Sequence, residues 1–415
     1  MNELIIHPVG ALRGSVPVSG SKNAALPILI ATLLCDGPSV IGNLPGIRDV
    51  TLTLRILARL GCTVEQMDDT TYRIDPTHAS APISAEPLTE RLRASAYFLG
   101  AFLGRFGRGR IGRIGGCDFG GRPIDQHIKV LSALGATVLV TEDGVEVCSE
   151  ELKGTSVSFD TVSVGATVNG ILSAVRASGE TVLYGAAAEP HIDDLIGYLN
   201  RCGANIRRAG QNEIRIRGVR RMRGCSYSVI PDMIEAGTYL IAGAATQGAV
   251  RVRGVNPAHI APLTRKLKEM GADVDEEEQA VSVFAPGRLY GTRIETQPYP
   301  GFPTDLQPQM TALLCTCIGT GTVRENIWRH RFRYTEELRR MGANISVRED
   351  TATVVGGVLT GAEMTVPDLR AGAALLIAAC AARGDSHLYD VGWIERGYED
   401  FVGKMGMLGA SVTPI

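Results

Sequence analysis

Basic side chains recur at equivalent places along this chain of 415 residues. Gly61, Gly135, Gly342 and Gly409 each lie thirteen residues beyond an arginine: Arg48, Arg122, Arg329 and Arg396. A second set falls at the starts of six apolar segments, with Lys22 and Asn23 in the first, Arg93 in the second, Gln307 in the fifth and Arg370 in the sixth. Helix N-termini carry unpaired amide donors and partial positive charge, so a cation placed there is unfavourable unless an anion offsets it. Any one of these groups could pair with a surface carboxylate. Their recurrence points instead to a substrate bearing phosphate and carboxylate, which arginine grips with two parallel N–H donors. Cys117 adds a nucleophile or acid. It lies in GGCDFGG between paired glycines, close to Arg113 and Arg122, in the electropositive, exposed setting that favours a thiolate.

The elements that position these groups repeat six times. LARLGCTV, LSALGATV, LNRCGANI, LKEMGADV, LRRMGANI and KMGMLGASV place a glycine at 61, 135, 203, 271, 342 and 409. Each glycine reads as a left-handed helix stop followed by a strand, and spacings near 70 residues suit a β/α unit with two helices. A second signature precedes each stop, starting at Ser21, Arg91, Ser163, Asp232, Asp305 and Asp368. Ser and Asp are good N-caps. The segments that follow are apolar nearly all round, which predicts buried helices.

Composition fits a large globular enzyme with 45% hydrophobic residues. A net charge of −2 gives no reason to expect nucleic acid or an anionic membrane as partner, and no segment has the run of about 18 uncharged apolar residues that a span needs. MNELIIHPVG lacks a signal-peptide pattern. Nine scattered cysteines suit a reducing cytosol, so a cytoplasmic location is expected. Cys315 and Cys317 read as core thiols, and the histidines as structural or solvated. No metal-ligand spacing occurs, so no metal or organic cofactor is expected.

Six repeats divide into two groups of three. Asp opens the apolar segment in the last three copies and in none of the first three, which places the break near Val229–Asp232. We expect one domain over 21–230 and a second over 1–20 plus 231–415, because the strand ELIIHPV precedes the first repeat and is free to pair with the later group.

SKNAALPILIATLL, GGCDFGGRPIDQHI, PYPGFPTDLQPQ, RFRYTEELRRMGA, VPDLRAGAALL and IERGYED together closely resemble the UDP-N-acetylglucosamine enolpyruvyl transferases, from end to end of the chain. The resemblance implies an α/β fold of two domains, each with three βαβαββ units in an inside-out barrel, and an active site in the cleft between them. It implies transfer of the enolpyruvyl group of phosphoenolpyruvate to the 3-hydroxyl of UDP-N-acetylglucosamine with loss of phosphate, the first committed step of peptidoglycan synthesis. Protonation of the methylene carbon makes the central carbon cationic, so an acid, a base and a cation cluster are needed.

By this resemblance Cys117, Asp305, Lys22 and Arg396 are catalytic, with Asp305 the base at the sugar hydroxyl. Asp305 reads equally well as an N-cap. Lys22, Asn23, Arg93, Arg122, Asp368, Arg370 and Arg396 match the phosphoenolpyruvate site. Arg93, Arg122, Pro123, Ile124, Asp125, Gln126, Val162, Ser163, Val164, Gly165, Asp305 and Ile327 match the nucleotide-sugar site. The chain departs from the pattern at Thr161 and Met233, where basic residues are usual, and at Asp118 and Gly121 in the cysteine loop. Enolpyruvylshikimate-phosphate synthase, a specialised enolpyruvyl transferase, and a non-catalytic paralogue binding UDP-N-acetylglucosamine are the alternatives.

Overall fold

The computed structural model describes residues 2–82, 87–115 and 123–415. Cys117 and Arg122 lie outside the described residues. The chain forms two compact units, one of Gly20–Ile230 and one of Met1–Ser19 with Pro231–Ile415.

Two kinds of helix alternate. The inner kind comprises α1 (Lys22–Ala31), α3 (Tyr97–Phe106), α5 (Val164–Ala174), α7 (Met233–Ala245), α9 (Gln307–Cys315) and α11 (Leu369–Ala381). Their uniformly apolar sequence leaves no polar face for solvent, and in α11 every residue from Leu369 to Cys380 is buried. Helices α1, α3 and α5 pack together in one unit, and α7, α9 and α11 in the other. The close approach of α3 to α5 needs Gly100, because a Cβ there would meet the Asn169 carbonyl at 2.7 Å. The outer kind comprises α2 (Arg48–Arg59), α4 (Asp125–Ala133), α6 (Pro190–Arg201), α8 (Ala261–Glu269), α10 (Tyr334–Arg340) and α12 (Phe401–Met407). These are amphipathic: α2 buries Val50, Leu54 and Leu57 while Arg55 and Arg59 face outward.

All six outer helices stop in the same way. Gly61, Gly135, Gly203, Gly271, Gly342 and Gly409 have φ between +84° and +104°. The Gly61 amide donates to Ala58 O at 3.0 Å and the Cys62 amide to Leu57 O at 3.1 Å, and the same pair of bonds recurs at the other five. Such paired bonds satisfy carbonyls that the helix end would otherwise orphan. After the first five stops the chain turns back as an antiparallel strand pair, and after the sixth the strand Ser411–Pro414 pairs antiparallel with Glu3–His7; the described residues form six small sheets, five four-stranded and one three-stranded. In both units strands from opposite ends of the unit's sequence pair with one another. Ser226–Ser228 returns to lie parallel to Ser39–Gly42, and Glu3–His7 lies between Ser386–Tyr389 and Ser411–Pro414.

The inner helix starts differ from expectation at three points. Ser163, Asp232 and Asp368 cap through their side chains, Asp232 accepting from the amides of Ile234 and Glu235 at 2.7 and 3.0 Å. Ser21 makes no side-chain capping bond. Near Arg91 the chain forms two 3-10 turns, Pro87–Arg91 and Arg93–Ala96, and α3 begins only at Tyr97. No Ser or Asp stands there to nucleate the α-turn. Asp305 does not cap either: it lies in the 3-10 turn Thr304–Leu306. Helix α9 carries Pro308 in its first turn, where a residue without an N–H removes one orphan donor, and the Asp305 oxygens turn to other partners.

Candidate active site

Those partners are two buried arginines. Asp305 Oδ1 accepts from Arg331 Nη2 at 2.9 Å and Oδ2 from Arg370 Nη2 at 3.0 Å. Both arginine side chains are under 5% exposed, whereas the carboxylate is 28% exposed. Burial pushes the carboxyl upward, but Arg370 and Arg331 together outweigh it and hold Asp305 well below the usual carboxylate range. The Asp305 carboxylate also helps keep the Arg370 guanidinium charged against its own desolvation. Arg370 lies over the Tyr398 ring at 5.4 Å, and its backbone amide is fixed by Asp368 Oδ1 at 2.9 Å. Asp368 thus acts on this group from beneath, as a helix cap.

A buried glutamate orders the neighbouring loop. Glu325 Oε1 accepts from the amides of Ile327 and Trp328 at 2.8 and 3.0 Å and from Thr296 Oγ1, while Oε2 accepts from Thr304 Oγ1 at 2.8 Å. Arg331 Nη1 donates to the same Thr304 hydroxyl at 2.8 Å. Ile327, Asp305 and Arg370 therefore belong to one network through Glu325, Thr304 and Arg331, three residues to which the sequence assigned no role. Arg396 ends a 3-10 turn, is buried, and lies over the Trp393 ring at 5.4 Å.

In the other unit Lys22 opens α1, and its Nζ is 2.8 Å from Asp49 Oδ2, a carboxylate 4% exposed in the first turn of α2. The cation at this helix start thus has a built-in counter-ion. Asn23 is half-buried beside it. Arg48, the recurring arginine next to Asp49, is exposed, as is Arg329.

The segments 123–127 and 160–165 come together around the starts of α4 and α5. Gln126, buried, donates through Nε2 to Asp160 Oδ2 at 3.0 Å and accepts from the Asp160 amide at 3.0 Å; Nε2 also donates to Asp125 at 2.8 Å. Pro123 and Asp125 are exposed and Ile124 is half-buried. Val162 is exposed, and Ser163 caps the helix that Val164 begins.

His127, one residue beyond the predicted segment, lies at the centre of this arrangement. A Cβ on Gly165 would sit 2.7 Å from His127 Nε2, so only glycine fits there. The Asn169 amide has a fixed orientation: Oδ1 accepts from Gly100 N at 2.9 Å and Nδ2 donates to Ala96 O at 2.8 Å. Nδ2 is also 2.7 Å from His127 Nδ1, so Nδ1 must accept and the ring proton belongs on Nε2. Burial, reinforced by nearby Arg93 and partly opposed by Asp125, lowers the His127 pKa to about 4. Arg93, in its 3-10 turn, is itself shifted downward by burial. The site thus offers a neutral N–H donor next to a guanidinium and the open amides of a helix start, a combination suited to an anionic group. Among the described residues no cluster of His, Cys, Asp or Glu is placed to hold a metal ion, and no helix is long and apolar enough to cross a membrane.

The sequence profile of EPSP synthase (3-phosphoshikimate 1-carboxyvinyltransferase) matches residues 6–405. The chain is 46% identical to UDP-N-acetylglucosamine 1-carboxyvinyltransferase 2 of Clostridium acetobutylicum, covering 99% of both chains. It is likewise 46% identical to UDP-N-acetylglucosamine 1-carboxyvinyltransferase of Clostridium botulinum, covering 100% of both. Among solved structures, the enolpyruvyl transferase NikO of Streptomyces tendae superposes with a TM-score of 0.90 at 26% identity, over 99% of this chain and 98% of that one. EPSP synthase of Acinetobacter baumannii, at 19% identity and a TM-score of 0.79 over the whole of both chains, shares the fold.

Proposed function

The chain belongs to the enolpyruvyl transferase family, and from that membership we propose that it transfers the enolpyruvyl group of phosphoenolpyruvate to the 3-hydroxyl of UDP-N-acetylglucosamine, releasing phosphate. The observation that carries this reading is the full-length identity to relatives named for that reaction. On this proposal the protein is a cytoplasmic transferase of peptidoglycan synthesis, with a part in cell-wall growth, cell shape and division.

Protonation of the methylene carbon of phosphoenolpyruvate and attack of the sugar oxygen on the central carbon form a tetrahedral adduct; loss of phosphate and a methyl proton then leaves the enol ether. Lys22, Asn23, Arg93, Arg122, Arg370 and Arg396 bind phosphate and carboxylate, with Asp368 holding the backbone of Arg370. Pro123 to Gln126 and Val162 to Gly165, with Arg93, Arg122 and Ile327, bind the nucleotide sugar, and the neutral Nε2–H of His127 supports that reading because it adds a donor without adding charge. Asp305 takes the hydroxyl proton. A carboxylate shared between two arginines is a weak base, so its strength in the reaction depends on substrate anions drawing Arg370 away from it. Cys117 supplies the proton near the methylene carbon and is the residue that the phosphonate epoxide fosfomycin alkylates.

Phosphate release measured with phosphoenolpyruvate plus either UDP-N-acetylglucosamine or shikimate 3-phosphate tests the substrate. Turnover with the nucleotide sugar alone is expected, and turnover only with the shikimate ester overturns the reading. Intact-mass analysis after fosfomycin treatment should show one adduct at Cys117, formed faster with UDP-N-acetylglucosamine present; an adduct on another cysteine would remove Cys117 from the site.

A further inference from the structure

Three cysteines far apart in sequence converge in the unit of Gly20–Ile230. Cys35 follows α1, Cys202 ends α6, and Cys225 precedes the strand Ser226–Ser228. The Cys202 and Cys225 sulfurs are 3.4 Å apart. Their backbones are neighbours too, since the Arg223 amide donates to Cys202 O at 2.9 Å. The Cys35 sulfur is 3.5 Å from the Tyr198 hydroxyl, which is itself 2.9 Å from Ser39 Oγ, and it is near enough to Cys202 for each to act on the other's ionisation. Cys35 and Cys202 are fully buried, whereas Cys225 is half-buried and open to solvent.

The sulfur–sulfur approach sets this grouping apart from the other buried thiols. Cys315 and Cys317 donate to carbonyls one turn back, and burial pushes both up to about 12. Burial likewise raises Cys225, and the interaction with Cys35 raises Cys202; Cys35 goes the other way, because Cys202, with Tyr198, Ser39 and Arg176 assisting, overcomes burial and lowers it to about 7. The trio therefore has an accessible sulfur, a second sulfur in contact with it, and a third placed to accept a proton.

We propose that Cys202 and Cys225 are an oxidisable dithiol which a hydroperoxide converts to a disulfide, with Cys35 accepting the proton that Cys202 releases. The Cys225 sulfur attacks one peroxide oxygen, the O–O bond breaks, and the thiol becomes a sulfenic acid while the peroxide is reduced to water or an alcohol. Cys202 then attacks the sulfenic sulfur, passing its proton to Cys35. The new S–S bond forms as the S–O bond breaks, and hydroxide leaves as water with that proton. Both electrons lost by the dithiol are those gained by the peroxide. Closing the bond encircles residues 203–224 and ties the end of α6 to the neighbouring strand. The 3.4 Å approach of the Cys202 sulfur to that of the half-buried Cys225 carries this inference, and it stands apart from the transfer reaction.

The full-length reduced protein is treated with limiting hydrogen peroxide near neutral pH, denatured, alkylated and digested with trypsin without reductant. A linked pair of peptides, Cys202–Arg207 with Gly224–Arg251, two hydrogens lighter than their sum and separated by dithiothreitol, is expected. It should be absent from Cys225→Ala and form at least about fivefold more slowly in both Cys35→Ala and Cys35→Ser. Oxidised wild-type protein should melt several degrees higher than reduced, because the cross-link restricts the unfolded chain. Full alkylation of Cys202 after peroxide, or a link that forms equally fast in urea-unfolded protein, overturns the proposal.

Discussion

Replacing Asp305 with Asn removes one charge and leaves two buried guanidiniums facing a neutral amide. Breaking a buried pair costs about 3–5 kcal/mol. The carboxylate here is 28% exposed, so water offsets part of that and the lower end, about 3 kcal/mol, is the working figure. For a unit of this size, where 1 kcal/mol moves Tm by about 2–4 °C, the Tm should fall by about 6–12 °C. Turnover should fall by about 10² to 10⁴ because the amide takes no proton. The pH dependence has a definite sign. The folded-state carboxyl lies well below its ordinary value, so the pair's stabilisation is complete above that ordinary value near pH 4 and is lost as the solution becomes more acidic; the Asn protein should lack this acid-side loss. Added phosphate should restore more of the Tm in the variant than in wild type, since an oxyanion can stand in for the missing carboxylate. Calorimetry with and without phosphate, beside a phosphate-release assay, reads all of this. A Tm within 2 °C of wild type would refute the charge argument, and turnover within about fivefold would remove Asp305 as base.

Two further predictions concern the scaffold. Gly203→Ala meets no atom within 4 Å and carries only the left-handed backbone strain at φ +104°, about 1–2 kcal/mol by urea denaturation, whereas Gly61→Ala also drives a Cβ to 2.6 Å from His78 O and should cost about 1–3 kcal/mol more; equal losses would contradict the contact. His127, lowered from 6.5 to about 4, must stay neutral in the fold, so wild-type stability should decline by roughly 3 kcal/mol as pH falls from the ordinary histidine value to about 4. His127→Gln should flatten that slope, and an unchanged slope would assign it to other groups.

The repeat was legible because a left-handed stop accepts glycine almost alone, and six such stops each precede a strand. Apolar segments without a polar face likewise had to become inner helices. Charge partners were another matter. Arg331 and Arg370 lie 26 and 65 residues from Asp305, and nothing local in either segment announces that pairing. In the first turn of α2 the recurring Arg48 is exposed, while Asp49 beside it holds Lys22. One step along a helix rotates a side chain by about 100°, enough to exchange solvent for core. In sequence His127 is one of several scattered histidines. Its nearest signal was position, directly after Gln126 at the start of α4, but the glycine that makes room for it is 38 residues further on at Gly165.

The pairing of Lys22 with Asp49, and of Arg331 and Arg370 with Asp305, changes how salt should act on ligand capture. A bare cationic pocket attracts any anion over a Debye length of about 8 Å at physiological ionic strength. Here Asp49 matches Lys22 and two arginines share the one Asp305 carboxylate, so three positive charges face two negative ones, most of the far field is cancelled, and an arriving anion competes with a carboxylate rather than filling an empty positive well. Association should then depend less steeply on ionic strength than three unpaired cations would give, and ambient sulfate or chloride should compete less well than at a bare pocket. Only a ligand with enough additional contacts can win the exchange, which makes the acidic residues a threshold for admission as much as a structural support.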